Sequence, residues 1–123
     1  MEGPKETAGT LPDELVIVWT SGDRNVALKM AFMYTLNAAE KKWWKTVNLI
    51  IWGPSAHLLA EDMTLRSKIG EMKQAEVKLF ACRACAEQYD VVSTLSSLGV
   101  EVKYMGGPLT EFLKNPRCRV MTF

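Results

Sequence analysis

The chain has 123 residues and a formal net charge of +1, with 48% apolar and 24% charged residues. A domain of this length buries about two-thirds of the surface its unfolded form exposes, so it needs neither metal nor disulfides to stay folded. Lysine and glutamate are interspersed rather than blocked, which argues against nucleic acid as the main partner. The longest apolar runs, such as Leu15 to Trp19, are far too short for a membrane span.

Residues Met1 to Asp13 are polar and lack the apolar core of a secretory signal, so 1–13 read as a flexible tail and 14–123 as a single domain. Leu15 to Trp19 is a continuous apolar run, expected as a strand covered on both faces. Thr20-Ser21-Gly22-Asp23 supplies turn and cap residues for a helix from Arg24 to Glu40. That helix carries one apolar stripe through Val26, Met30, Met33 and Asn37 and a second through Leu28, Phe32 and Leu36. Two stripes predict one contact with the sheet and one with something else, such as another subunit. Trp43-Trp44, where the helix exits, fits the same subunit contact.

A second strand is expected over Val47 to Trp52, ended by Gly53-Pro54-Ser55, with short helices over Ser55 to Ala60 and Asp62 to Gln74. Val77 to Ala81 is the third strand and runs directly into Cys82. Asp90 is placed to cap a helix over Val91 to Leu98, closed by Gly99. Val100 to Tyr104 alternates apolar and charged residues, which predicts a strand near the sheet edge. Gly106-Gly107-Pro108 opens a last helix through Lys114, and Arg119 to Phe123 closes as a fifth strand. Strands alternating with helices predict a mainly parallel five-stranded sheet in a three-layer α/β/α domain. In such sheets ligands gather at the carboxyl ends of the strands. That edge would collect Ser21 to Arg24, Gly53 to His57, Cys82 to Cys85, and Gly106 with Gly107.

Cys82-Arg83-Ala84-Cys85 carries the most chemical information, because it sets two thiols where a buried strand becomes a helix. Free backbone N–H groups there favour a thiolate, as would the Arg83 guanidinium if it folded back. A thiolate attacks disulfides, persulfides and peroxides. The plainer reading is a buried, inert cysteine with a second one on a helix face. Three cysteines and no secretory signal point to a reducing, cytoplasmic setting, where Cys-x-x-Cys is more often chemical than structural.

Other chemistries fit less well. A structural zinc site needs two more ligands than Cys82 and Cys85, and Cys118 and the single histidine His57 are remote in sequence. A thioredoxin-type dithiol follows an early strand, whereas two βα units precede this motif. Ser21, Gly22 and Arg24 open a helix that could receive an anion, but Asp23 would repel phosphate, and the spacing matches neither the P-loop nor G-x-G-x-x-G. His57 could act as acid or base near the thiols, or simply be structural. Gly53, Gly106 and Gly107 would allow close approach of a ligand, or serve only as turns.

Taken together, four segments resemble the DsrE-like family, which includes the DsrE and TusD sulfur-relay subunits and small stand-alone relatives. They are Val18-Trp19-Thr20-Ser21-Gly22-Asp23-Arg24, Leu49-Ile50-Ile51-Trp52-Gly53-Pro54-Ser55, Ala81-Cys82-Arg83-Ala84-Cys85-Ala86 and Tyr104-Met105-Gly106-Gly107-Pro108-Leu109-Thr110. The resemblance covers Leu15 to Phe123. It implies a flavodoxin-like domain that forms homo-oligomers, commonly trimers or hexamers. It further implies a sulfur carrier with the persulfide on Cys82, exchanging sulfur with donor and acceptor proteins or small thiols, without metal or cofactor. Cys85 is not general among relay subunits and would assist or resolve the transfer, and Ser21, Ser55 or His57 would orient the donor. Two alternatives stand beside this reading: a dithiol oxidoreductase that requires Cys85 as much as Cys82, and a non-catalytic small-ligand or assembly module.

Overall fold

The computed structural model describes residues 11–123. Five strands, β1 (Glu14–Trp19), β2 (Thr46–Ile51), β3 (Lys78–Cys82), β4 (Glu101–Lys103) and β5 (Cys118–Thr122), form one parallel sheet in the order β4-β3-β2-β1-β5. The apolar runs account for this arrangement, since β1 and β2 are each buried over five consecutive residues and occupy the middle of the sheet. β4, with its alternating charges, lies at one edge as expected.

The connections from β1 through β4 run in one direction across the sheet, and the last one returns past β1 to β5. Right-handed crossovers therefore place the earlier helices on one face and the last helix on the other. The first face packs α1 (Arg24–Val26), α2 (Phe32–Glu40), α3 (Pro54–Glu61), α4 (Met63–Gln74), α5 (Arg83–Gln88) and α6 (Val92–Ser97) over Leu15, Ile17, Trp19, Leu49 and Ile51. The second face carries α7 (Gly106–Lys114), whose Leu109 and Phe112 pack toward Val16, Val18 and Ile50. This is a three-layer α/β/α, flavodoxin-like fold with a thick layer and a thin one.

Three local expectations change. The helix expected over 24–40 is interrupted by a π-helical segment, Ala27–Ala31, between α1 and α2, where the Phe32 N–H reaches back to the Ala27 carbonyl. The extra residue per turn rotates the faces. Ala27, Ala31, Phe32 and Ala38 are buried, whereas Met30 and Met33 of the first stripe are exposed. Asp90 caps nothing by its side chain; it adopts φ +56 after α5, and Val91 precedes α6 without a side-chain cap. Of the tail expected over 1–13, residues 1–10 lie outside the described residues, but Asp13 is held. Its N–H donates to the Arg117 carbonyl, its carbonyl accepts from Lys45, and its carboxylate pairs with Arg117 at 2.5 Å. No helix among the described residues is long and apolar enough to cross a membrane.

Candidate functional site

Because the strands are parallel, the carboxyl ends of β1 to β4 meet on one edge, where Cys82 is the last residue of β3 and the residue before α5. Alternation along β3 puts Phe80 and Cys82 on the thin-layer face. There Cys82 joins Val18, Ile50 and Met105, with Trp52, Phe80 and Cys85 against the same cluster. Cys82 is buried and Cys85 is half-buried, and neither is in a disulfide. Cys85 lies three positions further on, one helical turn away and on the same side.

The two side chains are neighbours in the same apolar cluster. Burial, and then the Cys82 side chain beside it, push the Cys85 thiol up, so Cys85 holds its proton. Against this, the backbone N–H groups of Gly53 and Cys85 favour its charged form. The amide donors expected around Cys82 do not reach it: Cys82 accepts no capping hydrogen bond from the first turn of α5. Gly53 can make its contact because φ +74 and ψ −139 lie in a region open essentially to glycine alone. Pro54 then starts α3 with the fixed φ a first helical turn needs.

The other expected residues divide. Gly22 comes close to Pro54, and the Ser55 N–H donates to the Thr20 carbonyl, so the loops after β1 and β2 are joined beside the thiols. Ser55 is fully buried; its hydroxyl donates to the Trp19 carbonyl at 2.6 Å and accepts from the Trp52 N–H at 3.1 Å. It clamps two strand ends, and its one proton is committed to the Trp19 carbonyl. Ser21 accepts from the Asp23 N–H, and Arg24 pairs with Asp62 at 2.6 Å, so neither is turned to the thiols. The His57 ring pairs with Glu61 at 3.4 Å and stacks on Tyr89 at 5.2 Å. Arg83 runs along its own helix to Glu87 at 3.5 Å instead of folding back over Cys82. Tyr104 donates to the same Glu87 at 3.1 Å. Gly106 and Gly107 are exposed in the first turn of α7, with Met105 before them packed in the Cys82 cluster.

Trp52, Phe80 and Met105 form an apolar wall to the site that sequence reasoning did not single out. The alternation that pairs Phe80 with Cys82 on β3 is the signal that could have found it. Lys103 sits opposite Cys82 in register, and its ammonium lies 5.1 Å over the Phe80 ring. No group of three or more His, Cys, Asp or Glu among the described residues is placed to hold a metal ion.

The third thiol is at the opposite end. Cys118 is buried at the start of β5, and its Sγ donates to Glu14 Oε1 at 3.5 Å. The buried Asn48 donates to Glu14 Oε2 at 2.9 Å and holds that carboxylate in place. Burial and the Glu14 charge push Cys118 up to about 11.

No match is found among protein-family models or among curated proteins. The structure is similar to that of a conserved protein of unknown function, BT1422, from Bacteroides thetaiotaomicron, with a TM-score of 0.86. The two share 40% sequence identity over 90% of this chain and 95% of that one.

Proposed function

The chain belongs to the family of that conserved Bacteroides protein of unknown function, and from its own thiol geometry we propose that it carries sulfane sulfur on Cys82. The observation behind this reading is the pair of free thiols, Cys82 and Cys85, packed together at the carboxyl edge of the sheet, with the Cys85 thiol pushed up by burial and by its neighbour. A neighbour that holds a proton donates it to a Cys82 thiolate or to a departing thiolate. The resemblance of residues 81–86 to the DsrE-like relay proteins points the same way.

In the proposed step the Cys82 thiolate attacks the outer sulfur of a donor persulfide, R–S–SH. The new bond is Cys82 S–S, the broken one is the donor's S–S, and R–S⁻ leaves and takes up a proton. No electrons are gained or lost overall. An acceptor thiolate then attacks the outer sulfur of Cys82–S–SH, takes it, and restores the Cys82 thiolate. Trp52, Phe80 and Met105 keep water from the sulfur, since they wall the site with apolar surface. The partners are sulfur donors and acceptors, proteins or small thiols, in a reducing cytoplasm, and the carrier is a homo-oligomer.

The contact between the thiols favours a second reading. The Cys85 thiolate attacks the inner sulfur of Cys82–S–SH, forms a Cys82–Cys85 disulfide and expels HS⁻. Intact-mass spectrometry after brief exposure to a polysulfide separates the two. Sulfur carriage gives a gain of about 32 Da that persists in Cys85→Ser and disappears in Cys82→Ser. Dithiol chemistry gives a loss of about 2 Da in the unsubstituted chain, with no retained sulfur. If no mass change occurs in the folded protein, both readings fail.

A further inference from the structure

The two free edges of the sheet are built differently. β4 is three residues long and carries Glu101 and Lys103, the short charged form that discourages an edge from recruiting another strand. β5 is five residues long with Arg119 as its one charge, and its register with β1 runs unbroken from Cys118 to Thr122. Phe123 donates its N–H to the Val18 carbonyl and accepts from the Thr20 N–H, both toward β1. Alternation along the strand then turns the N–H and C=O groups of Val120 and Thr122 to the open side.

Beside this edge lies a hollow of about 450 Å³ lined by Met30, Met33, Tyr34, Trp43, Met121 and Phe123, with Lys29 as its one charged member. Four of these large side chains are unusually open: Met30 50%, Met33 54%, Trp43 54% and Met121 44% exposed. At on the order of 200 Å² per large side chain, they offer roughly 400 Å² of apolar surface. A standard interface buries about 800 Å² per partner. The β5 edge adds to that area, and on the opposite face of the sheet α7 beside it adds the exposed Leu113. Scarce charge and abundant Met and Trp are the composition of an interface core.

We infer that the occupant is a second copy of this chain, with β5 pairing antiparallel to the partner's β5 about a two-fold axis at Met121. In this register Val120 exchanges N–H···O bonds with Thr122 of the partner subunit, and Thr122 does so with the partner's Val120. Met121 faces its own copy as the non-hydrogen-bonded pair, with Cα atoms about 4.5 Å apart. The two sheets become one, and Met30, Met33 and Trp43 of both copies close over the Met121 pair. A two-fold contact yields a dimer, or the two-fold contact of a hexamer, but not a trimer. The interface stands whether or not Cys82 carries sulfur, and its test does not touch the sulfur chemistry.

Light scattering on the full chain, combined with oxidative crosslinking in a Cys82→Ser/Cys85→Ser background, tests the inference. An even number of chains is expected. Met121→Cys should give a covalent dimer, because its Cα separation falls within the range a disulfide spans. Arg119→Cys, which faces residue 123 of the partner, should not. Thr122→Pro removes an outward N–H and none directed at β1, so it should raise the dissociation constant at least about tenfold while leaving the circular dichroism unchanged. If that variant fails to fold, the comparison of positions 119 and 121 still decides. A monomer, a trimer, equal crosslinking at both positions, or an unchanged mass for a folded Thr122→Pro overturns the inference. So does a monomer that dimerises only after residues 1–10 are removed, which would assign the edge to that segment.

Discussion

Cys82 and Cys118 are buried almost equally, 6% and 5% exposed, at opposite edges of one sheet. Cys118 faces a carboxylate that Asn48 fixes in place, and so it is held as the thiol. Cys82 faces a second thiol, and loops from β1 and β2 close around the pair. Burial is the larger cause that raises Cys118 and the Glu14 charge adds to it, so what shares the pocket separates two thiols that are equally covered. The difference follows from where the strands end. The carboxyl edge gathers loops that supply N–H groups, and the amino edge gathers the chain's entry and the start of β5, with Glu14 and Asp13 beside them.

The contrast breaks most directly by labelling. With a neutral alkylating agent near neutral pH, Cys118 should take up label more slowly than the Cys82–Cys85 pair, because a thiol near 11 is almost wholly protonated there. Peptide mapping of a brief pulse gives the ratio. Equal rates at all three positions would show that the two edges do not differ chemically.

A smaller effect is expected from Gly53→Ala. The added methyl group meets nothing within 4 Å, so its cost is purely conformational. Holding alanine at φ +74 and ψ −139 costs up to about 3 kcal/mol. Relaxation of that strain also turns the Gly53 N–H away from Cys85. Denaturant unfolding should show the loss, and the pH profile of Cys85 alkylation should move to higher pH. Unchanged stability would mean that the loop has another conformation open to it.

Much of this arrangement was legible in the chain. The apolar runs set every strand to within a residue of its place, and the alternation in 100–104 put β4 at an edge. The position of Cys82 at a strand-to-helix junction was legible for the same reason. What could not be read was long-range or register-dependent. Ala27, Leu28, Lys29 and Met30 are all good helix formers, and nothing local distinguishes an α-helical turn from a π-helical one. Asp90 has the side chain of a cap, but aspartate also tolerates the left-handed conformation that ends α5. The Gly53 contact with Cys85 joins separate loops, and Glu14 meets Cys118 across 104 positions.

The Cys118 end should reveal itself in alkaline stability. Cys118 begins to ionise near 9.0 in the unfolded chain but only near 11 when folded. Its contribution is therefore fully present below pH 9 and is lost as pH rises toward about 11, by about 2 kcal/mol. Glu14→Gln removes the carboxylate charge that adds to burial in raising this thiol, so the alkaline loss should shrink. Urea unfolding of both chains at either end of that window measures it. An identical pH dependence in the two would assign the shift to burial alone.

The smallest effect inverts the Gly53 result at the other end of the sheet. Glu76 follows α4 at φ +67, where its N–H donates to the Lys73 carbonyl and the Val77 N–H to the Met72 carbonyl, both at 3.0 Å. This is a helix ending that glycine satisfies at no steric cost, and the accompanying contact of Val77 with Met72 needs nothing from the Glu76 side chain. Glu76→Gly relieves left-handed strain of about 1–2 kcal/mol and returns part of it as unfolded-state entropy. The net gain should be about 0.5–1 kcal/mol, seen as a rise in Tm of roughly 2–6 °C. One edge of the sheet should therefore lose stability when a glycine is removed, and the other should gain it when one is introduced. If Glu76→Gly lowers Tm instead, the Glu76 carboxylate contributes more through the neighbouring lysines of that edge than its backbone costs.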